Sequence, residues 1–291
     1  MPTLLKSICL TFALSMFIAD TSTCQQTLSD VPSDSLSLRL YFDTTDYLYG
    51  QNIIAHVTLI NNSTHTIEVC DIRSDYRVLS LTNIEGKSLT QQEMHINYGT
   101  GQRKHSLTAG DSLVSPHYLC RSGGPTYGKR DGTDCLTIGE TQVRAGYQNQ
   151  VFSPFVTIRL DQPTGNENLA YEVFRRVFQG GKTRDRMRPL AVIDSLIETY
   201  PKSKYVPDAC KHGLLQAKLI NDSDRIANYC TILIQSDPNH EYSIAGFDNF
   251  LTVLPASSAA SFCDSIATAY PNTRLAVHAR EKLAILNAEK R

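Results

Sequence analysis

Residues 109–135 read AGDSLVSPHYLCRSGGPTYGKRDGTDC and hold three groups of side chains able to do chemistry. Ser112, behind Gly110 and Asp111, could act as a nucleophile, with the later Asp237-Pro238-Asn239-His240 supplying an acid and a base. Gly123, Gly128 and Lys129 have the G-x-x-x-x-G-K spacing of a backbone cradle for phosphate. His117, Cys120 and Cys135 could be three ligands of a metal ion. Each chemistry demands a particular element around it, so the elements decide between them.

Two periodicities divide the chain. From Ser35 apolar residues alternate: SLSLRLYFD puts Leu36, Leu38, Leu40 and Phe42 on one face. IIAHVTLIN does the same with Ile53, Ala55, Val57 and Leu59 inward, leaving His56 and Thr58 outward. Further short strands are expected at HTIEVCDI, YRVLSLTN, DSLVSPHYL, TQVRAGYQ and VFSPFVTIRL, separated by Gly, Asn and Asp turns. Such a series predicts an antiparallel β-sandwich over residues 35–160. DQPTGNEN, residues 161–168, reads as a linker without apolar content. Beyond it, seven amphipathic segments from NLAYEVFRRVF to LAVHAREKLAIL predict short helices across 166–289. Tyr200-Pro201, Asp237-Pro238 and Tyr270-Pro271 each close a helix, at spacings of 37 and 33 residues. Ala209, Gly213 and Ala217 at i, i+4 and i+8 form a small-residue face for close helix contact.

The first half resembles the immunoglobulin-like β-sandwich domains of exported bacterial proteins. The likeness is carried by Tyr49-Gly50-Gln51 before a strand ending in Asn61, the Leu107-x-x-Gly110-Asp111 turn, and Ile138-Gly139-Glu140 before a last hairpin. It lacks a core tryptophan and a Cys-Trp-Cys spacing. The second half resembles the tetratricopeptide repeats of periplasmic assembly proteins, since ETYPKSKYVPDA and TAYPNTRLAVHA repeat one pattern. The early tryptophan of those repeats is missing, and the middle unit is irregular. The resemblance implies an α-helical solenoid whose first helices line a concave groove that holds peptide segments. Lys204, Lys211 and Lys218, spaced by seven, could present a lysine stripe to carboxylates there, or form a plain solvated face.

Against these elements the three chemistries fade. In GDSL-type esterases the serine follows a buried strand of a parallel sheet, whereas Ser112 follows KHSLTAG in an alternating β region without βαβ units. The phosphate spacing offers Arg130 where a serine or threonine must hold the metal, and RDGTDC cannot open a helix. The metal set has no C-x-x-C pair and no fourth ligand. A Cys120–Cys135 disulfide is the simpler expectation, closing a loop worth about 3 kcal/mol in the chain-entropy model. Cys210 and Cys230, on neighbouring helices, could form a second bridge or pack as small apolar residues, which leaves Cys70 and Cys263 without assigned partners.

The disulfide expectation depends on export. MPTLLKSICLTFALSMFIADTSTC has one lysine, an apolar run too short to span a bilayer, then small polar residues, as a secretory signal peptide over residues 1–24 does. Cys24 could be acylated, or cleavage could fall near it; Thr21-Ser22-Thr23 lacks the usual lipobox leucine. Outside the cytoplasm disulfides persist. The chain has 28 Lys and Arg against 29 Asp and Glu, so no nucleic-acid partner is advertised. Sequons at Asn61, Asn62 and Asn221 matter only in a host that glycosylates exported chains.

The sequence thus predicts an exported, non-catalytic protein that binds another protein or peptide, without cofactor or metal, in the periplasm, at the cell surface or outside the cell. A membrane tether would come through lipid on Cys24. Two alternatives remain: a proteinase inhibitor presenting Lys129 or Arg130 on the Cys120–Cys135 loop, and an esterase using Ser112.

Overall fold

A computed structural model describes residues 35–72, 78–89, 104–119, 136–178 and 187–288. Its first half is built of strands. Strand β1 (Leu36–Phe42) pairs antiparallel with β3 (Ile54–Asn61), which pairs antiparallel with β7 (Ser112–Tyr118). A second sheet runs β2 (Asp46–Leu48), β10 (Val156–Asp161), β8 (Gly139–Tyr147), β5 (Leu79–Asn83), with β9 (Val151–Phe152) beside β8. Strands β4 (Ile67–Cys70) and β6 (Lys104–Leu107) form a third, two-stranded sheet. The alternation read from the sequence is the reason these segments are strands. Leu38 faces Leu59 and Leu40 faces Val57 across the β1–β3 ladder, and all four enter one core. Leu81, Ala145, Tyr147 and Ile158 reach the same core from the second sheet. One ladder departs from the antiparallel expectation: β2 runs parallel to β10, a pairing that short-range periodicity does not encode.

Among the described residues seven α-helices follow: α1 (Gly165–Phe174), α2 (Met187–Thr199), α3 (Val206–Leu219), α4 (Ser223–Ser236), α5 (Glu241–Val253), α6 (Ala256–Ala269) and α7 (Arg274–Ala288). A single 3-10 turn, Arg175–Val177, extends α1. Asp161 still belongs to β10 and Gly165 opens α1, so the stretch expected as a linker contributes to both and leaves only residues 162–164 between them. Pro201, Pro238 and Pro271 lie just beyond α2, α4 and α6, where a ring without an N–H costs no helical hydrogen bond. Asp222 caps α4 by accepting from the backbone N–H of Arg225, and the Arg225 side chain bridges Asp222 at 2.6 Å and Asp194 of α2 at 2.9 Å. The small-residue face works as its spacing requires. A Cβ added at Gly213 would stand 2.7 Å from the Tyr229 ring and 3.0 Å from Ile193, so α3 approaches α4 and α2 more closely than any other residue allows.

The two halves share a seam. Ile54 of β3 belongs to the helical core with Tyr171, Leu190 and Tyr205, and Leu48 and Tyr49 pack against it. No helix among the described residues is long and apolar enough to cross a membrane.

Candidate functional site

The turn Tyr49-Gly50-Gln51-Asn52, between β2 and β3, inserts into the helical half. Gly50 adopts φ +94 and lies so close to Tyr171 that a Cβ would stand 2.4 Å from its ring. The Tyr205 hydroxyl donates to the Tyr49 carbonyl at 2.7 Å, and Gln51 Nε2 donates to the Lys204 carbonyl at 3.1 Å. Asn52 donates its backbone N–H to Asp208 Oδ2 at 2.8 Å and its Nδ2 to Asp208 Oδ1 at 2.9 Å. The same Nδ2 lies 2.7 Å from the Tyr242 hydroxyl. Asp208 stands in the first turn of α3 and is 4% exposed. Burial pushes its carboxyl up, and the hydrogen bonds from Asn52 and Tyr242 act in the opposite direction.

A second seam contact gathers on Asp43, just after β1. His56 Nε2 lies 3.0 Å from Asp43 Oδ1, Arg274 Nη1 at 3.2 Å from the same oxygen, and His240 Nε2 at 3.6 Å from Oδ2. Arg274 also pairs with Glu241 at 3.1 Å. Burial raises the Asp43 carboxyl, but His56, His240 and Arg274 outweigh it and hold the group below its ordinary value. His56, expected to point outward, is fully buried and stacked on Tyr41 at 4.7 Å. It does leave the β core, as the alternation requires, but that face of β3 is covered. Its approach to Asp43 is close without the alignment of a hydrogen bond, and neither ring nitrogen has a hydrogen-bond partner among the described residues.

Where the turn before β3, the end of β7, α3 and α5 meet, a cleft of about 300 Å³ opens. Tyr242, Leu214 and Asp208, all nearly buried, form its floor. Asn52 and Tyr118 wall it from the β half, and Lys211, Leu215 and Lys218 line it from α3. Lys218 donates to Asn249 Oδ1 at 2.7 Å. Lys211 is half-buried and makes no hydrogen bond or ion pair among the described residues. Burial pushes its pKa down; Glu241 pulls it up and Lys218 pushes it down again.

Of the three lysines expected on one helical face, the structure brings Lys211 and Lys218 together in the cleft. Lys204 falls in the turn before α3, its backbone held by Glu167 and Gln51. The heptad spacing is real, but the helix begins two residues too late to include its first member. Asp208 and Asn52 were missed by sequence reasoning. An acid in the first turn of a helix is an ordinary partner of the helix dipole, and nothing local marks it as buried.

The cysteines divide differently from expectation. Cys210 and Cys230 face each other closely enough to interact electrostatically, yet both are free, buried thiols, which removes the bridge considered for them. Burial pushes Cys230 up to about 12, so neither behaves as a reactive thiolate. Cys263 is free as well, whereas Cys70 is disulfide-bonded. The expected Cys120–Cys135 bridge, Lys129, Arg130 and Cys24 all lie outside the described residues.

Ser112 sits exposed at the start of β7, opposite Ile60. His240 is drawn to Asp43, which His56 also approaches, and His56 pairs with Pro116, four residues or roughly 13 Å along β7 from Ser112. The serine and the Asp237–His240 segment are therefore not brought together. Gly110 and Asp111 form a tight turn in which Asp111 Oδ2 accepts from the Thr108 N–H at 3.1 Å. Asn61 is buried and its Nδ2 donates to the carbonyls of His65, Leu107 and Thr108, so this sequon cannot take a glycan in the folded chain. Among the described residues no group of three His, Cys, Asp or Glu could hold a metal ion.

His117, the candidate metal ligand inside the described region, is lowered to about 4 by burial and by the nearby His56, and its Nε2 is buried without a hydrogen-bond partner. A histidine whose folded pKa lies below its unfolded value adds stability that is complete above the unfolded pKa, near 6.5, and is lost as pH falls toward 4. Asp43, also depressed, adds stability lost only below its ordinary value of 3.8. The midpoint of thermal unfolding should thus fall between pH 7 and pH 4 in the wild-type chain. It should fall less in H117Q, which removes the titrating ring; equal falls would show that His117 is not held neutral by the fold.

No family model and no curated protein sequence matches this chain. Among solved structures, a β-glucosidase from Listeria innocua in complex with gluconolactone is similar at 13% identity and TM-score 0.26, covering 43% of this chain and 16% of that one. The alkylpurine DNA glycosylase AlkC of Pseudomonas fluorescens, bound to DNA with an abasic site analog, is 13% identical at TM-score 0.26, covering 44% and 30%. The sporulation control protein Spo0M of Bacillus subtilis is 11% identical at TM-score 0.25, covering 49% and 56%. The chain spans 56% or less of the length of these structures, and likeness at such TM-scores says nothing about its fold or activity.

Proposed function

We propose that this chain is an exported, non-catalytic protein-binding or scaffold protein, with an immunoglobulin-like sandwich ahead of a short tetratricopeptide-like solenoid. The signal-like residues 1–24 support export, and the helices closed by Tyr-Pro or Asp-Pro support the repeat reading. The observation that carries the binding role is the outer row of α3. Leu215 is 58% exposed and Leu219 51% exposed, one helical turn apart and flanking Lys218 at the rim of the cleft. Two exposed leucines beside a lysine are a poor solvated face and a good partner surface, because burying each apolar side chain yields about 2 kcal/mol. The partner is a protein or peptide that lays an apolar segment along α3.

A photo-crosslinking residue placed at Leu219 should yield one discrete adduct in the native host, and the same residue at Thr157, exposed on β10, should yield none. Leu215→Asp should remove the adduct at position 219. Adducts of equal strength from both positions, or none from 219, would sink the assignment.

A further inference from the structure

The interior of the cleft poses a separate question from the α3 rim. Among the described residues, the acidic groups near Lys211 are already engaged. Glu241 is paired with Arg274 at 3.1 Å, and Asp208 accepts from both Asn52 donors. The Asn249 Oδ1 in the cleft accepts from Lys218. Lys211 therefore stands in a recess with a second ammonium nearby, makes no ion pair or hydrogen bond of its own among the described residues, and has only acids committed to other partners, Glu241 and Asp208, around it. An unpaired, partly desolvated cation is costly, and a bound anion would offset that cost.

The surroundings select among anions. Phosphate sites are usually built from helix N-termini or arginine forks. Here the first turn of α3 presents the Asp208 carboxylate in place of free N–H donors, the lysines come from the later turns, and no arginine lines the cleft among the described residues. Lysine as a point charge accepts a carboxylate equally well. Leu214 and Leu215 offer apolar wall beside the charge, with Tyr118 and Tyr242 from the other sides. A volume of about 300 Å³ is that of a small-ligand pocket, and pockets of this kind form where two packed units meet.

We infer that the seam cleft is a binding site for a small organic carboxylate, with Lys211 as its charge partner, Lys218 at the entrance, and the leucine wall against its apolar body. The ligand touches Asn52 and Tyr118 of the β half as well as α3 and α5, so its occupancy ties the two halves together.

Isothermal titration of the full exported chain tests this with 3-phenylpropionate, 3-phenylpropionamide, glutarate and inorganic phosphate as probes. The aromatic acid should bind, and its amide, which lacks the charge, at least about tenfold more weakly. Lys211→Met should weaken the acid by about tenfold or more, and Lys218→Met less, because that ammonium is exposed and tied to Asn249. The acid and amide comparison is made on the unaltered chain and so does not depend on how the variants fold. Equal binding of acid and amide, undiminished binding by K211M, phosphate binding tighter than either carboxylate, or no binding of any acid at millimolar concentration would each overturn the inference. So would binding seen only with a carboxylate on a peptide. The crosslinking at position 219 reads the α3 rim independently: adducts there without acid binding would leave the partner surface standing and remove the ligand site.

Discussion

Gly50→Ala is expected to destabilise the chain by about 3 kcal/mol, and Gly86→Ala by about 1 kcal/mol. Both glycines have positive φ, +94 at Gly50 and +79 at Gly86, so both substitutions force an L residue into a region that it avoids. Only Gly50 also faces a wall. Its new Cβ would stand 2.4 Å from Tyr171 Cε2, while nothing lies within 4 Å at Gly86. Tyr171 cannot swing away freely, because it packs edge-on to Tyr49 at 6.0 Å and against Tyr205 at 5.4 Å. The difference between the two variants in urea unfolding isolates the contact between the turn and α1. If G50A costs no more than G86A, the turn is not wedged into the helical half and the seam is looser than described.

Asp208→Ala should cost about 2 kcal/mol. It strips the acceptor from the Asn52 N–H, the Asn52 Nδ2 and the Tyr242 hydroxyl, and each buried donor left without a partner costs on the order of 1 kcal/mol. Relief of the buried carboxylate returns part of that loss, since burial already works against its ionisation. Asp208→Asn should not restore the loss, because its amide nitrogen would meet the donors of Asn52. Urea unfolding followed by far-ultraviolet circular dichroism measures both variants. A loss below about 0.5 kcal/mol for D208A would mean that water replaces the carboxylate and that the seam does not depend on it.

The cost of both variants arises from pairs of residues far apart in the chain, and this explains what could be read in advance. Alternation at Leu36, Leu38 and Leu40 and the helical period from Leu190 to Leu196 are local signals, because side-chain direction repeats every two or 3.6 residues whatever lies beyond. The prolines at 201, 238 and 271 are equally local: a missing N–H ends a helix regardless of its neighbours. The close approach at Gly213 was legible from Ala209, Gly213 and Ala217, since small residues on one helical face have few other uses.

The alternation in β3 correctly turned His56 away from the β core, but it cannot say what covers the second face of a strand. In the structure Asp43, Tyr41, His240 and Arg274 gather around it, the last 218 residues further along the chain than His56. Cys210 and Cys230 were rightly placed as neighbours on adjoining helices, and only their packing shows that they remain thiols.

The sequence by itself therefore determined most of the elements: the described strands other than the short β2 and β6, and the seven described helices, fall in segments that their periods mark, and the lysine spacing already aligned Lys211 with Lys218. Tertiary structure alone decided the cleft. Asn52 and Asp208 are 156 residues apart, and each reads locally as an ordinary turn residue or helix-start acid. Only when the turn docks on α3 do they satisfy each other's polar groups, which buries Asp208 and leaves Lys211 facing an open recess with no ion pair of its own among the described residues.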